Sequence, residues 1–287
     1  MNLHRRAALP MSTSQQSDSI PRPTLRRFII SAPFGNYIQP RGATPTLGTF
    51  TAMRRSGRIY RTIATVRYSR RMGAWINQIG LRNPGIDWLI QRAQRGKMNL
   101  SDKILSIHGF DDQQWELLLQ SAQTLSTAAL ELNMSCPNVG EITWPAHLFD
   151  QSIATGVPVL VKLPPVNFEQ MVDHALSAGV RAFHCCNTIP VPRGGISGKP
   201  LKPFSIQCIR RVLDLAQQRA IDDLVLIGGG GITTPRDIDD YAAAGATHVA
   251  VGTKAMNPLR LVSEGPLRGL IDHAGRIFGS PEAVSVG

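Results

Sequence analysis

A closed (β/α)8 barrel with a shortened first β/α unit is the fold that this sequence predicts. The 287 residues suit one α/β barrel, which routinely uses about 250 residues. Short apolar segments alternate with helical patterns, and strict β-then-α alternation implies parallel strands. Every chemically suggestive feature follows a strand candidate, as the active sites of such barrels do. A doubly wound open sheet is the alternative, but its glycine-rich turn follows the first strand, whereas here it follows the seventh.

Eight apolar segments are the strand candidates, and six helical patterns lie among them. From residue 129 onward the strand candidates are almost continuously apolar, as strands buried on both faces should be. The strands are predicted at residues 28–30, 63–66, 104–107, 129–132, 159–162, 182–185, 224–227 and 248–251. The helices are predicted at residues 85–95, 113–125, 168–178, 204–218, 235–244 and 259–273. Thr234 as N-cap, Pro235 at the first helical position and Gly245 after the end delimit one of them.

The domain organisation follows from composition. Residues 1–23 are polar, rich in Ser and Gln and interrupted by Pro, which predicts a disordered arm. Residues 24–287 are expected to form a single barrel domain. The chain has no unbroken apolar run of about 18 residues, so no membrane span is expected. Four cysteines without zinc-type spacing suggest neither a disulfide framework nor a metal site, and a reducing cytoplasm is the expected location.

The positive charge is concentrated in one segment. The formal net charge is +11, and seven arginines lie between residues 54 and 71 with no acidic residue among them. Such a segment is either a solvated basic face or a surface for nucleic acid, an anionic membrane or an acidic partner. No helix-turn-helix pattern supports nucleic acid, which we therefore do not expect as a partner.

The loop after the fourth strand candidate carries two amides and a thiol. Asn133, Cys136 and Asn138 lie within six residues, and Pro137 stiffens the turn. Because a carboxamide both donates and accepts hydrogen bonds, two of them beside a thiol suit a planar, amide-like ligand with a base at hand. The alternative is a structural loop whose Asn residues satisfy backbone groups.

Glycine-rich loops follow the seventh and eighth strand candidates. Residues 228–231 are four consecutive glycines, and Gly252-Thr253 follows the last strand. Phosphate sites in barrels are frequently built from these two loops, since glycines let backbone N–H groups approach an anion. A third cluster, residues 194–198, follows the sixth strand. Lys162 ends the fifth strand, either snorkelling into water or stabilising negative charge on a reduced cofactor ring.

Together these residues resemble the dihydroorotate dehydrogenase family, specifically its soluble first class with a cysteine base. The resemblance covers about residues 77–258 and includes NQIGLRNPG (77–85), NMSCPN (133–138), VKLPP (161–165), Asn187-Thr188, GGISGKPLKP (194–203), GGGGI (228–232) and VGT (251–253). It implies an FMN-binding barrel that oxidises dihydroorotate to orotate in pyrimidine biosynthesis. Cys136 would remove a proton from C5, and a hydride would pass from C6 to N5 of FMN.

The resemblance also assigns site residues. Those expected to hold the substrate are Asn77, Ile79, Gly80, Leu81, Asn133, Asn138, Asn187 and Thr188. Those expected to hold FMN are Ser31, Ala32, Lys162, Gly194, Gly195, Gly230, Gly231, Gly252 and Thr253. We also expect a homodimer. Since the chain has neither a dinucleotide fingerprint nor an iron–sulfur cysteine set, electron transfer to NAD would need a separate subunit.

The N-terminal side departs from the family pattern. A lysine that contacts flavin and substrate in the family is replaced here by Gly48, and too few residues follow the opening loop at residues 31–35 for a full first helix. A neighbour such as Arg41 or Arg55 could supply the missing cation. Alternatively, the chain is a related FMN oxidoreductase acting on another cyclic amide or pyrimidine, or a non-catalytic flavin-binding partner protein.

Overall fold

A closed barrel of eight parallel strands forms the centre of the molecule. The structure is a computed structural model, and it describes residues 21–135, 144–192, 194–256 and 265–279. The barrel strands are β1 (Phe28–Ile30), β2 (Ala43–Phe50), β5 (Ile104–Ile107), β6 (Ala129–Asn133), β7 (Val159–Lys162), β8 (Ala182–Cys185), β11 (Val225–Gly229) and β12 (His248–Val251). Around the barrel they follow the order β1-β12-β11-β8-β7-β6-β5-β2, and β2 closes on β1. The predicted fold class is confirmed.

The helices pack on the outside of the barrel. They are α1 (Arg58–Thr65), α2 (Ile86–Gln94), α3 (Asp112–Gln123), α4 (Leu148–Ile153), α5 (Glu169–Ser177), α6 (Lys202–Gln217), α7 (Pro235–Ala243) and α8 (Gly265–Phe278). Except for α1, which has no buried residue, they contribute buried side chains that join the outer faces of the strands in one large apolar core. The predicted start of α7 is confirmed, because Thr234 and Asp237 form a capping box around Pro235. Gly245 has a φ of +96°, as expected of a glycine after a helix end.

The first β/α unit is shortened, as predicted. Between β1 and β2 the chain forms only a 3-10 turn, Phe34–Asn36, instead of an α-helix. The predicted strand at residues 63–66 is wrong, because these residues end α1 and begin the following link. The second barrel strand is β2, which contains Pro45 and Gly48, residues that normally argue against a central strand. Pairing with β1 and β5 on its two sides overrides that local preference.

A second sheet, which the sequence patterns did not reveal, lies beside the barrel. It is antiparallel with the order β3-β4-β10-β9. Its strands are β3 (Arg67–Ser69), β4 (Ala74–Asn77), β9 (Ile189–Val191) and β10 (Gly194–Gly198). Because β4 ends at Asn77, this sheet carries one of the expected site residues to the barrel mouth.

The barrel interior changes character from its amino end to its carboxyl end. Seven strands contribute one apolar residue each to a fully buried layer that includes Ile29, Ile104 and Leu160. Two residues further along their strands, Ser106, Glu131, Lys162 and His184 are buried and polar. Side chains at this spacing point to the same face of a strand. The amino end is therefore a closed apolar plug, and the polar layer above it forms the floor of a site.

Two expectations concern residues outside the described ranges. The predicted arm falls mostly on residues 1–20, and the predicted helix at 259–273 begins in the gap before Gly265. Within the described residues, no helix has the length and apolar character needed to cross a bilayer.

Candidate active site

A cavity of about 990 Å³ opens at the carboxyl ends of the barrel strands. This volume lies at the upper end of the range of about 300–1,000 Å³ typical of small-molecule sites. Most of the expected site residues line it. They are Ser31, Ala32, Asn77, Ile79, Gly80, Leu81, Asn133, Lys162, Asn187, Thr188, Gly230, Gly231, Gly252 and Thr253. The cavity thus joins the two groups of residues that the sequence assigned separately to substrate and cofactor.

Four expected residues are not among the described residues that line the cavity. Cys136 and Asn138 lie outside the described residues, although the preceding Ser135 is buried and donates a hydrogen bond to the carbonyl of Lys162 at 2.8 Å. Gly194 and Gly195 belong to β10, and Gly195 pairs with Asn77. A Cβ on Gly194 would lie 2.1 Å from the carbonyl oxygen of Asn77. These two glycines therefore support the strand that carries Asn77, and Gly198 lines the cavity in their place.

Three ionisable side chains form the floor of the cavity. Glu131 is fully buried, and its Oε2 lies 2.8 Å from His184 Nδ1. Its Oε1 lies 4.0 Å from Lys162 Nζ and has no hydrogen-bond partner within the described structure. Lys162 and His184 both line the cavity. The sequence pattern pointed to Lys162 alone; the alternation of residues along β6 and β8 would have located Glu131 and His184.

The charge state of this floor follows from its surroundings. Burial alone would raise the pKa of the Glu131 carboxyl, but the charge of Lys162 and the hydrogen bond from His184 hold it at about 2. Burial lowers the pKa of His184, and the charge of Lys162 lowers it further. At neutral pH, Glu131 is therefore an anion and His184 is neutral, with its Nδ1–H donating to Glu131. The buried carboxylate of Glu131 therefore balances a positive charge on Lys162.

The asparagines are held in a chain of hydrogen bonds that joins three barrel strands and the loop after β8. Asn187 Nδ2 donates to Asn133 Oδ1 at 3.0 Å, and Asn133 Nδ2 donates to Thr49 Oγ1 at 2.7 Å. Thr49 Oγ1 lies 2.9 Å from Ser106 Oγ. Because a carboxamide has two N–H donors, Asn133 keeps one for a ligand. Asn187 uses both of its donors, since its Nδ2 also donates to Ser135 Oγ at 3.2 Å, but its Oδ1, which accepts from the Thr188 N–H at 2.9 Å, keeps one lone pair. Thr49 and Ser106 were not singled out from the sequence.

The other end of the cavity is built from backbone and lysines. Gly230 and Gly231 form a turn between β11 and α7 with φ values of +115° and +71°, which few residues other than glycine adopt. Gly252 and Thr253 follow β12, where a 3-10 helix begins at Thr253. Lys254 and Lys199 line the same end. Backbone N–H groups at such turns and helix starts, together with lysines, are suited to binding an anion such as phosphate.

Gly48 lies in the cavity wall in a backbone conformation that excludes a side chain. Its φ is +110°, and a Cβ would lie 2.4 Å from the carbonyl oxygen of Ser106 and 2.8 Å from the backbone nitrogen of Phe50. Asn36 holds the residue in place, because its Oδ1 accepts from the Gly48 N–H at 3.1 Å and its Nδ2 donates to the Gly48 carbonyl at 2.9 Å. A lysine does not fit at this position without rebuilding the strand.

Two arginines other than the proposed substitutes reach the cavity. Neither Arg41 nor Arg55 is among the described residues that line it, whereas Arg58 and Arg82 are. The guanidinium of Arg58 lies 5.2 Å from the centre of the Tyr37 ring, and burial lowers its pKa. Arg58 and Arg82 are therefore the positions from which a cation could replace the missing lysine.

The three described cysteines are free and buried: Cys185, Cys186 and Cys208. Cys186 lines the cavity, but burial raises its pKa, followed by the effect of neighbouring Cys185. Burial likewise raises the pKa of Cys208 well above its ordinary value. Neither environment favours the thiolate, the reactive form of cysteine.

Comparison with known proteins gives one family. The family described as dihydroorotate dehydrogenase matches residues 41–262. The catalytic subunit of dihydroorotate dehydrogenase B (NAD(+)) from Oceanobacillus iheyensis is 34% identical over 216 residues, which cover 66% of this chain and 69% of that protein. Dihydroorotate dehydrogenase A (fumarate) from Lactobacillus delbrueckii subsp. bulgaricus is 30% identical over 209 residues, covering 62% of this chain and 66% of that protein.

Solved structures agree on the fold. The Eimeria tenella DHODH in complex with ferulenol superposes with a TM-score of 0.66 over 88% of this chain and 81% of that one, at 16% identity. The ligand-free form from the same organism gives a TM-score of 0.61 over 82% of this chain and 76% of that one, at 18% identity. The family match over most of the chain, together with the barrel and its cavity, identifies the chain as a member of the dihydroorotate dehydrogenase family, oxidoreductases that act on CH–CH donors.

Proposed function

We propose that the protein oxidises dihydroorotate to orotate with FMN as its cofactor. The observation that carries the proposal is the buried cation of Lys162, which lines the cavity above an ionised Glu131. A lysine in this setting is suited to stabilising negative charge that develops on a bound ring during reduction. The names of the curated relatives support the substrate.

The residues present fit FMN. Gly230, Gly231, Gly252 and Thr253 would hold the phosphate through backbone N–H groups, and Lys162 would lie beside the ring system. The cavity, whose volume is about 990 Å³ and whose walls include both Gly230 and Asn77, would hold a small substrate beside the cofactor. When bound, FMN would accept the hydride that the substrate loses.

The substrate would be oriented by amides. Asn133 and Asn187 are fixed by their mutual hydrogen bond and by Thr49 and Ser135, so the remaining N–H of Asn133 and the side-chain carbonyl groups of both are already oriented before a ligand arrives. Such preorganisation reduces the entropy cost of binding a planar ligand that both donates and accepts. Asn77, at the end of β4, and Thr188 would complete the pyrimidine contacts, with Asn138 as a further proposed contact.

Cys136 is the proposed base that removes the C5 proton. It directly follows the buried Ser135 in the sequence, three residues after Asn133, with which β6 ends, and this sequence position supports the assignment. The raised pKa values of Cys186 and Cys208 argue against either as an alternative base. A thiol with an ordinary pKa of about 8.5 acts near neutrality only where its surroundings favour the thiolate.

A spectroscopic experiment tests the proposal. The purified protein should carry a yellow cofactor that is released by denaturation and identified as FMN by mass. Anaerobic dihydroorotate should bleach the oxidised flavin band. Cys136→Ala should keep the flavin but slow bleaching by at least about a hundredfold, the usual scale for losing a general base.

Cys208→Ala is the matched control, because Cys208 is a free thiol that is buried inside α6. It should bleach at close to the native rate. A protein that neither carries nor takes up FMN would refute the cofactor. Unchanged bleaching in Cys136→Ala would refute the base.

A second candidate is oxidation of another cyclic amide or pyrimidine. Gly48 favours it, since its backbone excludes the family lysine and therefore removes one charged contact from the site. Losing a charge-assisted hydrogen bond costs about 1.5–3 kcal/mol, or roughly 10- to 150-fold in affinity. Titrating orotate against the oxidised flavin band separates the candidates, because tight, stoichiometric binding supports dihydroorotate as the native substrate.

We also propose cytoplasmic location, assembly as a homodimer and reoxidation through a separate electron-transfer subunit. The last proposal is supported by the name of the B-type relatives, which are catalytic subunits. Co-purification of the untagged partner from the native source would test it.

A further inference from the structure

Helix α1 lies at the rim of the cavity with its apolar side facing solvent. Ile59, Tyr60 and Ile63 fall within one arc of the helix, and they are 78%, 73% and 79% exposed. No residue of α1 is buried. A surface helix of a globular protein normally turns such an apolar stripe towards the core. Within the described part of the chain, nothing covers this stripe.

The polar side of α1 faces the protein instead. Thr65 Oγ1 donates to the carbonyl of Arg61 at 2.7 Å and accepts from the backbone N–H of Gln78 at 3.1 Å. The guanidinium of Arg58 packs over the ring of Tyr37. Because these contacts anchor the polar side, the helix cannot turn its apolar stripe inward without losing them.

Other apolar side chains extend the exposed surface on both sides of α1 in the sequence. Met53 is 71% exposed, Tyr68 on β3 is 52% exposed, and Met72 is 41% exposed. The ring of Tyr68 packs against Trp75, with 5.3 Å between centroids, and this contact holds it in place. Side chains exposed to this degree project from the surface. Residues 53–72 are called the rim segment below.

The rim segment is also strongly basic. It contains all seven arginines of the basic run and no Asp or Glu. Six of them, all except Arg55, take part in no ion pair within the described residues: Arg54, Arg58, Arg61, Arg67, Arg70 and Arg71. Arginines around projecting apolar and tyrosine side chains are the composition of segments that lie in a membrane interface.

We propose that the rim segment docks the enzyme on the surface of an anionic phospholipid bilayer. Ile59, Tyr60 and Ile63 enter the boundary between headgroups and acyl chains, and the arginines contact the lipid phosphates. The net charge of +11 draws the whole molecule towards such a surface. Since Ile59, Thr62 and Ile63 also line the cavity, the bilayer covers one side of its mouth.

Charge and shape favour lipid over the other occupants. A second copy docked symmetrically through this face would bring two sets of seven arginines together, which repel one another. A folded partner protein needs an interface of about 800 Å² per side with good shape complementarity, whereas projecting side chains around a short helix suit a deformable surface. The inference rests on this surface alone and does not depend on the substrate or on FMN.

Vesicle sedimentation with the full-length protein tests the proposal. Vesicles of phosphatidylcholine with about one quarter phosphatidylglycerol should pellet the protein, and pure phosphatidylcholine vesicles should not. Raising the salt from about 0.05 to about 0.5 M should weaken binding, since exposed charges are then screened. Ile59→Ser/Ile63→Ser should weaken binding at least about tenfold through lost apolar insertion. Arg67→Gln/Arg70→Gln/Arg71→Gln should weaken it by about a hundredfold, or roughly fivefold per arginine near an anionic leaflet.

Matched controls carry the same changes away from the rim segment. Leu117→Ser/Ile277→Ser removes two exposed apolar side chains, and Arg95→Gln/Arg210→Gln/Arg236→Gln removes three exposed charges. The apolar control should bind like the native protein, and the arginine control should lose no more than a few-fold. All substitutions in the four variants are at the surface, so circular dichroism and thermal melts should show that each variant folds.

Three results would overturn the proposal. The first is no binding to anionic vesicles by folded native protein. The second is full binding by the Ile59→Ser/Ile63→Ser variant, which would leave only non-specific charge attraction. The third is native protein that forms a dimer in sedimentation velocity and becomes monomeric in that variant, which would assign the face to self-association.

Discussion

Substituting Gly48 tests whether the backbone conformation and close packing at this position exclude any side chain. Gly48→Ala should lower the free energy of unfolding through two separate effects. A φ of +110° strains any residue with a Cβ by about 1–3 kcal/mol. The new Cβ would also meet the Ser106 carbonyl oxygen at 2.4 Å and the Phe50 nitrogen at 2.8 Å. Both are backbone atoms that cannot move aside cheaply, so overpacking adds about 1–3 kcal/mol.

Gly57→Ala separates the two effects. Gly57 has a φ of +88°, but a Cβ there meets nothing within 4 Å. The control should therefore lose only the strain energy, and both variants share the small gain from a stiffer unfolded chain. The expected difference between them is about 1–3 kcal/mol.

Urea denaturation followed by circular dichroism measures this difference, as a shift in midpoint at constant slope. Gly48→Lys should be at least as unstable as Gly48→Ala and should not improve dihydroorotate turnover. Equal losses in Gly48→Ala and Gly57→Ala, within about 0.5 kcal/mol, would contradict the backbone argument. A stable Gly48→Lys with improved turnover would show that the position still accepts the family lysine.

Three further predictions concern buried charge and helix ends. Burial, followed by the charge of Arg27, lowers the pKa of His248 from 6.5 to about 4, so the unfolded chain binds the proton first as the pH falls. Stability should therefore decline by about 3 kcal/mol between pH 6.5 and pH 4, and urea titrations of His248→Gln should show a flatter decline. Glu131→Gln should lower the free energy of unfolding by about 3–5 kcal/mol, because the buried charge of Lys162 is left without its partner. Adding Lys162→Met should recover part of this loss. Strictly additive losses in the double variant would contradict an interaction between the two side chains. Asp237→Asn should lower the free energy of unfolding by about 1–2 kcal/mol, because it removes the capping box of α7. Asp240→Asn, at a half-exposed position, should lower it by less than about 1 kcal/mol. Equal losses in the two variants would contradict the role of the cap.

Local patterns were sufficient where one segment carries its own signal. The barrel strands from β5 onward were located within two residues, because continuous apolar runs bounded by polar turns mark a strand buried on both faces. The glycines after β11 and β12 and Asn133 at the end of β6 could be assigned to a site, because barrel topology brings all strand ends to one edge. Lys162 could be placed at the mouth for the same reason.

Other features depend on partners distant in the sequence. β2 contains Pro45 and Gly48 and was missed, since its neighbours β1 and β5, rather than its own propensity, make it a strand. Asn36 holds Gly48, and Ser106 crowds it, across gaps of 12 and 58 residues. The family resemblance identified Gly48 as a departure from the usual lysine, but only the packing around Gly48 explains why a lysine does not fit there.

The sequence by itself predicted the barrel, all but one of its strands and most of the described residues that line its mouth. These predictions follow from the two-residue and 3.6-residue periodicities of apolar residues and from the positions of glycines, which are signals contained within single segments of the sequence. The tertiary structure alone decided that Glu131 lies beneath Lys162, that Gly194 and Gly195 support Asn77, and that α1 turns its apolar stripe outward. The physical reason is that burial, charge balance and orientation depend on which atoms surround a side chain, and those atoms come from other strands and helices of the fold.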